Sequence, residues 1–178
     1  MNLIGAIGLY AALLRHRGEP LHFPGSRGGI SQPTDTDLMA RAIEWAGQAE
    51  AARNQVFNIA NGDLFSLAEM WPAIADALGM EVGEDRPFPF VEQVPRCASE
   101  WDEVRRQHGL IAPDAETFLG QSAQFADWIF ARASAGLRGS ISTVKIQNAG
   151  FTEAMHSEDM FRKWIGRYQQ ARLIPPRG

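Results

Sequence analysis

The sequence predicts an α/β fold that is mostly helical and holds two or three short strands. Apolar residues recur at helical spacing in several long stretches, which is typical of amphipathic helices. The strand candidates are short apolar runs bounded by glycine, proline and asparagine. The chain has 178 residues, of which 45% are hydrophobic and 21% charged, enough for a domain with a real core. We therefore expect one unit over residues 1–178.

Charge and cysteine content restrict the class of protein. The formal net charge of −4 gives no reason to expect a nucleic-acid partner, because phosphate binding needs concentrated lysine and arginine. Cys97 is the only cysteine, which excludes a disulfide framework and favours a reduced, cytoplasmic setting. The four histidines show no paired spacing, so no metal site is expected.

The first predicted helix runs from Asn2 to Arg17 and ends near Gly18. Its apolar start raises the alternative of a signal peptide, but its positive charges follow the apolar run, and no small-residue cleavage site is evident. The run is also too short to span a bilayer. We expect a buried helix and no membrane contact.

A short strand over residues 21–23 and a glycine-rich loop over residues 26–33 come next. The loop lacks the spacing of dinucleotide- and phosphate-binding motifs, so we interpret it as a connection. Thr34 or Asp35 then caps a helix that reaches about Ala52. Its inward residues are predicted to be Leu38, Ala42, Trp45 and Ala46.

The best-specified unit of the sequence covers Val56 to Gly79. Residues 56–60 form a largely apolar strand candidate, which the turn residues 61–63 close. Ser66 and Glu69 have the spacing of a capping box, and Gly79 is a natural C-cap. The helix between them carries an apolar stripe of Leu67, Met70, Trp71, Ile74 and Leu78.

The remaining elements are three more helices. Three prolines between Glu84 and Cys97 predict an extended connection, and a short helix then runs from Ser99 to Gly109. One long helix is expected over residues 114–135, broken by glycines at 136 and 139, and a last one over residues 157–170. Because short strands need partners, we expect the strands to extend a sheet whose other members lie outside this sequence.

The unit from Val56 to Gly79 resembles the C-terminal part of extended short-chain dehydrogenases/reductases, more narrowly the progesterone 5β-reductase/iridoid synthase-like enone reductases. The family's LRFPG resembles residues 21–25, LHFPG, and its SDADLIA resembles residues 34–40, TDTDLMA. Residues 142–151, Phe161 and Ile174-Pro175 are similar to the family's closing pattern. The order and spacing of these motifs cover nearly the whole chain.

The resemblance implies that catalytic and cofactor-binding residues lie elsewhere. Intact relatives use NADPH, held by a glycine-rich turn, and a tyrosine proton donor with a lysine nearby. Neither Tyr10 nor Tyr168 has a lysine four residues on, and the glycine fingerprint is missing. The N-terminal dinucleotide-binding domain is therefore expected to be absent, and the chain alone to bind no cofactor.

The same resemblance assigns candidate substrate-binding residues. Phe125, with Trp128 and Ile129 beside it, would line a pocket over the nicotinamide, and Met1 and Asn2 would follow a strand end near it. The alternative is that the helical residues are core and that the first two residues are frayed. Met160 and Phe161 are expected to pack rather than line a pocket.

Two functions remain open from the sequence. The first is the substrate-binding portion of an NADPH-dependent reductase of enones or other small carbonyl compounds. The second is a non-catalytic remnant or an oligomerising small-molecule- or protein-binding module. Either would leave an apolar face uncovered, which favours a homodimer or a separate Rossmann-bearing chain.

Overall fold

The computed structural model describes residues 2–131 and 140–178. These residues hold helices α1 Leu3–His16, α2 Thr36–Gln48, α3 Leu67–Leu78, α4 Phe90–Arg96, α5 Ala98–His108, α6 Ala115–Leu119, α7 Ser122–Ala131, α8 Val144–Asn148 and α9 Ser157–Gln170. The strands are β1 Leu21–Phe23, β2 Ile30–Ser31, β3 Phe65–Ser66 and β4 Val82–Asp85, with a 3₁₀ turn at Glu50–Ala52. β1 pairs with β4 in parallel, and β2 pairs with β3 antiparallel. The expected mostly helical α/β class is confirmed.

Helix α1 forms the centre of the main core. Every residue from Ile4 to Leu14 is buried, because α5, α6, α7 and α9 pack around the helix. Gly8 permits the close approach of the segment after α9, since a Cβ at Gly8 would lie only 2.6 Å from Cγ2 of Ile174. A helix that is apolar on all sides is thereby shielded from water.

Helix α3 packs its predicted stripe into the same core. The five apolar residues named for this stripe are all buried, and Trp71 Nε1 donates a 3.1 Å hydrogen bond to the carbonyl of Leu21 in β1. Gly79 ends the helix in the left-handed conformation (φ 71°), as expected. Ser66 occupies the N-cap position, but its side chain makes no capping hydrogen bond, so the predicted capping box is wrong.

The prediction of an extended connection over Glu84–Cys97 is also wrong. Strand β4 reaches Asp85, and α4 begins at Phe90, directly after Pro89. The carboxylate of Asp127 in α7 accepts hydrogen bonds from the backbone N–H groups of Phe90 (2.5 Å) and Val91 (3.0 Å). A cap supplied from a distant helix therefore stabilises a turn that the local proline content argues against.

The single helix expected over residues 114–135 is divided in two. α6 ends at Leu119, and Gly120 adopts φ 48° and ψ −129°, outside the helical region, before α7 begins at Ser122. Glycine tolerates this conformation because it has no Cβ. Residues 132–135 and the break predicted at Gly136–Gly139 lie outside the described residues.

A second, smaller hydrophobic cluster lies beside the main core. Its buried members are Leu38 and Ala42 of α2, Ile146 of α8, and Phe151. Partly buried Trp45 packs against it, as predicted, whereas Ala46 is exposed and not inward. We call this set the α2 cluster.

Residues 56–60 do not form the predicted strand. Their backbone is held by side chains instead: Lys145 Nζ donates to the carbonyl of Val56 at 2.9 Å, and Thr34 Oγ1 to that of Ile59 at 3.0 Å. Among the described residues no strand pairs with the segment, and the side chain of Val56 is 83% exposed. An apolar run without a neighbouring strand stays extended and unpaired.

Candidate functional site

A cavity of about 700 Å³ lies where the N-terminus of α1 meets α7, α9 and the loop between β2 and α2. Its apolar lining consists of Leu3, Ile4, Pro33, Phe65, Leu67, Phe125, Trp128, Ile129, Met160, Phe161 and Trp164. The polar residues at its wall are Asn2, Ser31, Gln32, Thr34, Thr36 and Tyr168. A concave, mostly apolar site with a few polar groups is typical of small-molecule binding.

Helix α7 turns one face to the core and another to the cavity. Ala126 and Phe130 are buried in the core, whereas Phe125, Trp128 and Ile129 line the cavity. The rings of Phe125 and Trp128 lie 5.9 Å apart between centroids, and half of Trp128 is exposed. The structure thus brings the three predicted α7 residues to one wall; that they bind a substrate stays a prediction.

Asn2 lies at the same cavity and caps α1. Its Oδ1 accepts hydrogen bonds from the N–H groups of Ile4 (3.0 Å) and Gly5 (3.3 Å), and its own N–H donates to Ser122 Oγ at 2.8 Å. Its Nδ2 donates to the phenol oxygen of Tyr168. Asn2 is therefore fixed by four hydrogen bonds, not frayed. Met1 lies outside the described residues.

Helix α9 supplies the opposite wall. Met160 and Phe161 are buried, as expected for packing residues, but both also line the cavity. Trp164 and Tyr168 join them and were not singled out from the sequence. The spacing of 161, 164 and 168 places three aromatic residues on one helical face, and this is the signal that could have identified the wall.

The indole of Trp164 is held by the buried carboxylate of Asp35. Asp35 Oδ2 accepts from Trp164 Nε1 at 2.8 Å and from Lys163 Nζ at 2.6 Å, while Oδ1 caps α2 by accepting from the N–H of Leu38 at 3.1 Å. Burial raises the pKa of Asp35, but these hydrogen bonds outweigh it and hold the pKa below its usual value. The carboxylate stays ionised at neutral pH and ties α2 to α9.

A second polar cluster fixes the start of α9. Asp63 accepts from the N–H of Ser157 at 2.9 Å and from its hydroxyl at 2.5 Å. The buried Asn61 accepts from the N–H of Asp35 at 2.6 Å and donates to Ser157 Oγ at 3.3 Å. The turn residues predicted at 61–63 therefore position the helix that forms one wall of the cavity.

The glycine-rich loop after β1 lacks the geometry of a dinucleotide-binding turn. The glycine-rich loop after β1 leads to the two-residue strand β2, not to a helix whose N-terminus could face a pyrophosphate. Within residues 2–131 and 140–178, no group of three metal-ligating side chains comes together. None of the helices there is both long and apolar enough to cross a bilayer.

Comparison with known proteins finds relatives that match nearly the whole of this chain and a little under half of their own length. An (S)-8-oxocitronellyl enol synthase of Nepeta racemosa is 30% identical over 182 residues, covering 98% of this chain and 45% of that protein. A 3-oxo-Δ(4,5)-steroid 5β-reductase of Arabidopsis thaliana is also 30% identical over 182 residues, with the same coverage. No protein-family model matches the chain.

The chain thus spans about half the length of the curated relatives that it matches. These relatives are the enol synthases and steroid 5β-reductases of the group that the sequence motifs resemble. The chain belongs to the progesterone 5β-reductase/iridoid synthase-like family of extended short-chain dehydrogenases/reductases, and it corresponds to their C-terminal part.

Proposed function

We propose that this chain is the substrate-binding portion of a short-chain-type reductase of enones or other small carbonyl compounds. The observation that carries the proposal is the cavity of about 700 Å³, which has the size and the largely apolar lining of a small-molecule site. Its position between α7, α9 and the N-terminus of α1 unites residues from both ends of the chain.

The names of the relatives and the lining of the cavity support this substrate class. One relative is named for a 3-oxo-steroid and the other for an 8-oxocitronellyl enol, so both names denote small oxo compounds with apolar skeletons. The apolar side chains of Phe125, Trp128 and Ile129 would contact such a skeleton and exclude water from it. No catalytic residue is assigned among the residues of this chain.

The NADPH that such a reductase uses would be bound by another portion of the protein. Because the described residues offer no cradle for a pyrophosphate, we derive no step of hydride transfer from them. Their role is to bind and orient the compound that is reduced.

Binding of geranial, a ten-carbon enal, tests the proposal. Trp128 and Trp164 line the cavity, so occupancy should change tryptophan fluorescence. Phe125→Ala and Ile129→Ala should each weaken geranial binding about tenfold, since each removes apolar contact area. Ile111→Ala is the matched control, because Ile111 is exposed and away from the cavity lining. Absence of binding, or equal affinity in all four proteins, would contradict the proposal.

A specific observation also favours an association function. Next to the α2 cluster, Ile43 is 67% exposed and Val56 83%, with Met39 and Val144 exposed as well. The N–H groups of residues 57–60 donate to no other described residue. Exposed apolar side chains beside an unpaired extended segment favour addition to a sheet edge of another portion.

We propose that this surface takes a Rossmann-type dinucleotide-binding portion, on a separate or a longer chain. The unmatched half of the relatives leaves room for such a portion, and its sheet would supply the missing hydrogen-bond acceptors. A second copy of this chain, giving a homodimer, is the competing occupant.

Light scattering distinguishes the two. The N-terminal half of the Nepeta racemosa relative, added in trans, should form a one-to-one complex with this 19.7 kDa chain but not with the double variant Ile43→Lys, Val56→Lys. A homodimer of the chain alone that the double variant splits would assign the surface to a second copy. Failure to form any complex would contradict both.

A further inference from the structure

We propose that Tyr168, whose phenol oxygen accepts a hydrogen bond from Asn2, forms a polar end of the cavity and donates its phenol hydrogen to the carbonyl oxygen of the bound compound. This inference rests on the proposed function and deepens it by naming the group that would recognise the oxo function. Tyr168 is thus a specificity-determining residue on the substrate side, and no proton transfer is assigned to it.

The orientation of the Asn2 amide is the first step. Its Oδ1 is engaged by the N–H groups of Ile4 and Gly5 at the start of α1. The amide can satisfy both only if Nδ2, a donor, faces the phenol of Tyr168. The phenol oxygen must then accept from Asn2, which leaves its own hydrogen for a different partner.

The second step is that no residue within 2–131 and 140–178 accepts this hydrogen. Among the described residues, the hydrogen bond from Asn2 is the sole one that the phenol of Tyr168 makes. The indole N–H of Trp164, another polar aromatic group at the wall, is already engaged by Asp35. The ring of Tyr168 is half-buried, and its hydroxyl lies at the wall of a mostly apolar cavity, where its hydrogen is positioned to bind a ligand acceptor.

The third step is that the ring is fixed and the phenol is protonated. A Cβ placed on Gly5 would contact Cε1 of Tyr168 at 3.8 Å and Cζ of Phe118 at 3.7 Å, so the ring lies directly against the first turn of α1. Burial raises the pKa of Tyr168 above its usual value, and the hydrogen bond from Asn2 offsets part of this. At neutral pH the phenol therefore remains a donor.

These features select a compound by its chemistry. A carbonyl oxygen accepts hydrogen bonds and donates none, so it complements a phenol whose acceptor position is occupied. The rest of the compound meets the aromatic walls of α7 and α9. An aldehyde or ketone on an apolar skeleton therefore fits better than the matching hydrocarbon.

A pair of probes tests the inference: geranial, and 2,6-dimethylocta-2,6-diene, in which a methyl group replaces the aldehyde. Tryptophan fluorescence should show that the wild-type chain binds geranial more tightly than the diene. Tyr168→Phe should reduce this preference about three- to tenfold, the range expected for one neutral hydrogen bond, with little change in diene affinity.

Asn2→Ala separates recognition from structural damage. It removes the same internal hydrogen bond and also the cap of α1, but it keeps the phenol, so the preference for geranial should largely persist. Equal loss in both variants would overturn the proposal, as would a preference that Tyr168→Phe leaves intact. If neither probe binds the wild-type chain, the proposed function fails together with this inference; binding without preference overturns this inference alone.

Discussion

Helices α1 and α2 have almost the same length, 14 and 13 residues, yet they are buried to very different extents. Water is excluded from α1 along the whole of Ile4 to Leu14, whereas only Leu38 and Ala42 of α2 are buried. Helices α5, α6, α7 and α9 of the same chain cover α1. Around α2 the chain leaves Ile43 and Val56 exposed and joins the elements by polar contacts.

The comparison indicates how stability is divided in the molecule. Hydrophobic burial scales with the apolar area removed from water, so the main core should dominate the free energy of unfolding. The α2 cluster depends on the contacts that Asp35 and Asn61 make with α9, and on Met155, which packs against both clusters. The cavity is lined from both regions, by Leu3 and Ile4 of α1 and by Thr36 at the start of α2.

The largest expected effect comes from truncation in the main core. Trp71 is fully buried between β1 and α7, where its ring contacts Phe23 and Phe130. Trp71→Ala should lower the free energy of unfolding by about 3–5 kcal/mol, measured by urea denaturation. Trp128→Ala, at a half-exposed position, is the control and should lower the free energy of unfolding far less. Similar losses would show that the main core is not dominant.

An intermediate effect is expected where a charge ties the α2 cluster to α9. Asp35→Asn keeps the cap of α2 but removes the charge that faces Lys163 and Trp164. It should cost about 1.5–3 kcal/mol at pH 7, the range for hydrogen bonds to a charged group. Hydrogen exchange should show the loss first in α2, with α1 protected.

The pH dependence of this substitution follows from the lowered pKa of Asp35. A carboxylate with a lower pKa in the folded state stabilises the fold above its unfolded pKa, about 3.8, and loses that contribution as the pH falls through its folded pKa. The difference in the free energy of unfolding between the wild type and Asp35→Asn should therefore have its full value at pH 7 and become smaller below pH 3.8. A difference in the free energy of unfolding that stays constant between pH 7 and pH 3 would contradict the assignment.

The smallest effect should differ in sign between the two regions. Gly47→Ala in α2 meets no atom within 4 Å, so it should stabilise the chain by about 0.5–1 kcal/mol through helix propensity. Gly8→Ala in α1 forces a contact with the buried Ile174 and should destabilise by about 1–3 kcal/mol. Thermal unfolding of both variants measures the difference. Equal signs would mean that α1 is packed no more tightly than α2.

The sequence predicted the elements whose signals are local. Helices α1, α3 and α9 have apolar periodicity and recognisable ends, and all three are found where expected. The wrong predictions concern segments whose conformation depends on residues distant in the sequence. Helix α4 needs Asp127 as its cap, and residues 56–60 have the composition of a strand but no partner among the described residues.

The cavity could be predicted only in part, because some of its contacts join residues far apart in the sequence. The resemblance to the family predicted that the α7 residues and Asn2 lie at the cavity. It could not predict the pairing of Asn2 with Tyr168, because these residues are 166 positions apart in the sequence. Nothing local to Tyr168 indicates that Asn2 lies against it. The division of residues 114–135 was missed because helical periodicity continues across Gly120, where only the backbone angles show the break.

The two faces of α7 have a consequence for how such a site can diverge. Ala126, Asp127 and Phe130 anchor the helix to the core and to α4, while Phe125 and Trp128 meet the cavity and Ile129 meets both the cavity and the main core. A library randomised at positions 125 and 128 would therefore sample new ligand shapes while the core contacts of Ala126 and Phe130 are kept. The helix separates the freedom to acquire new selectivity from the requirement to remain folded.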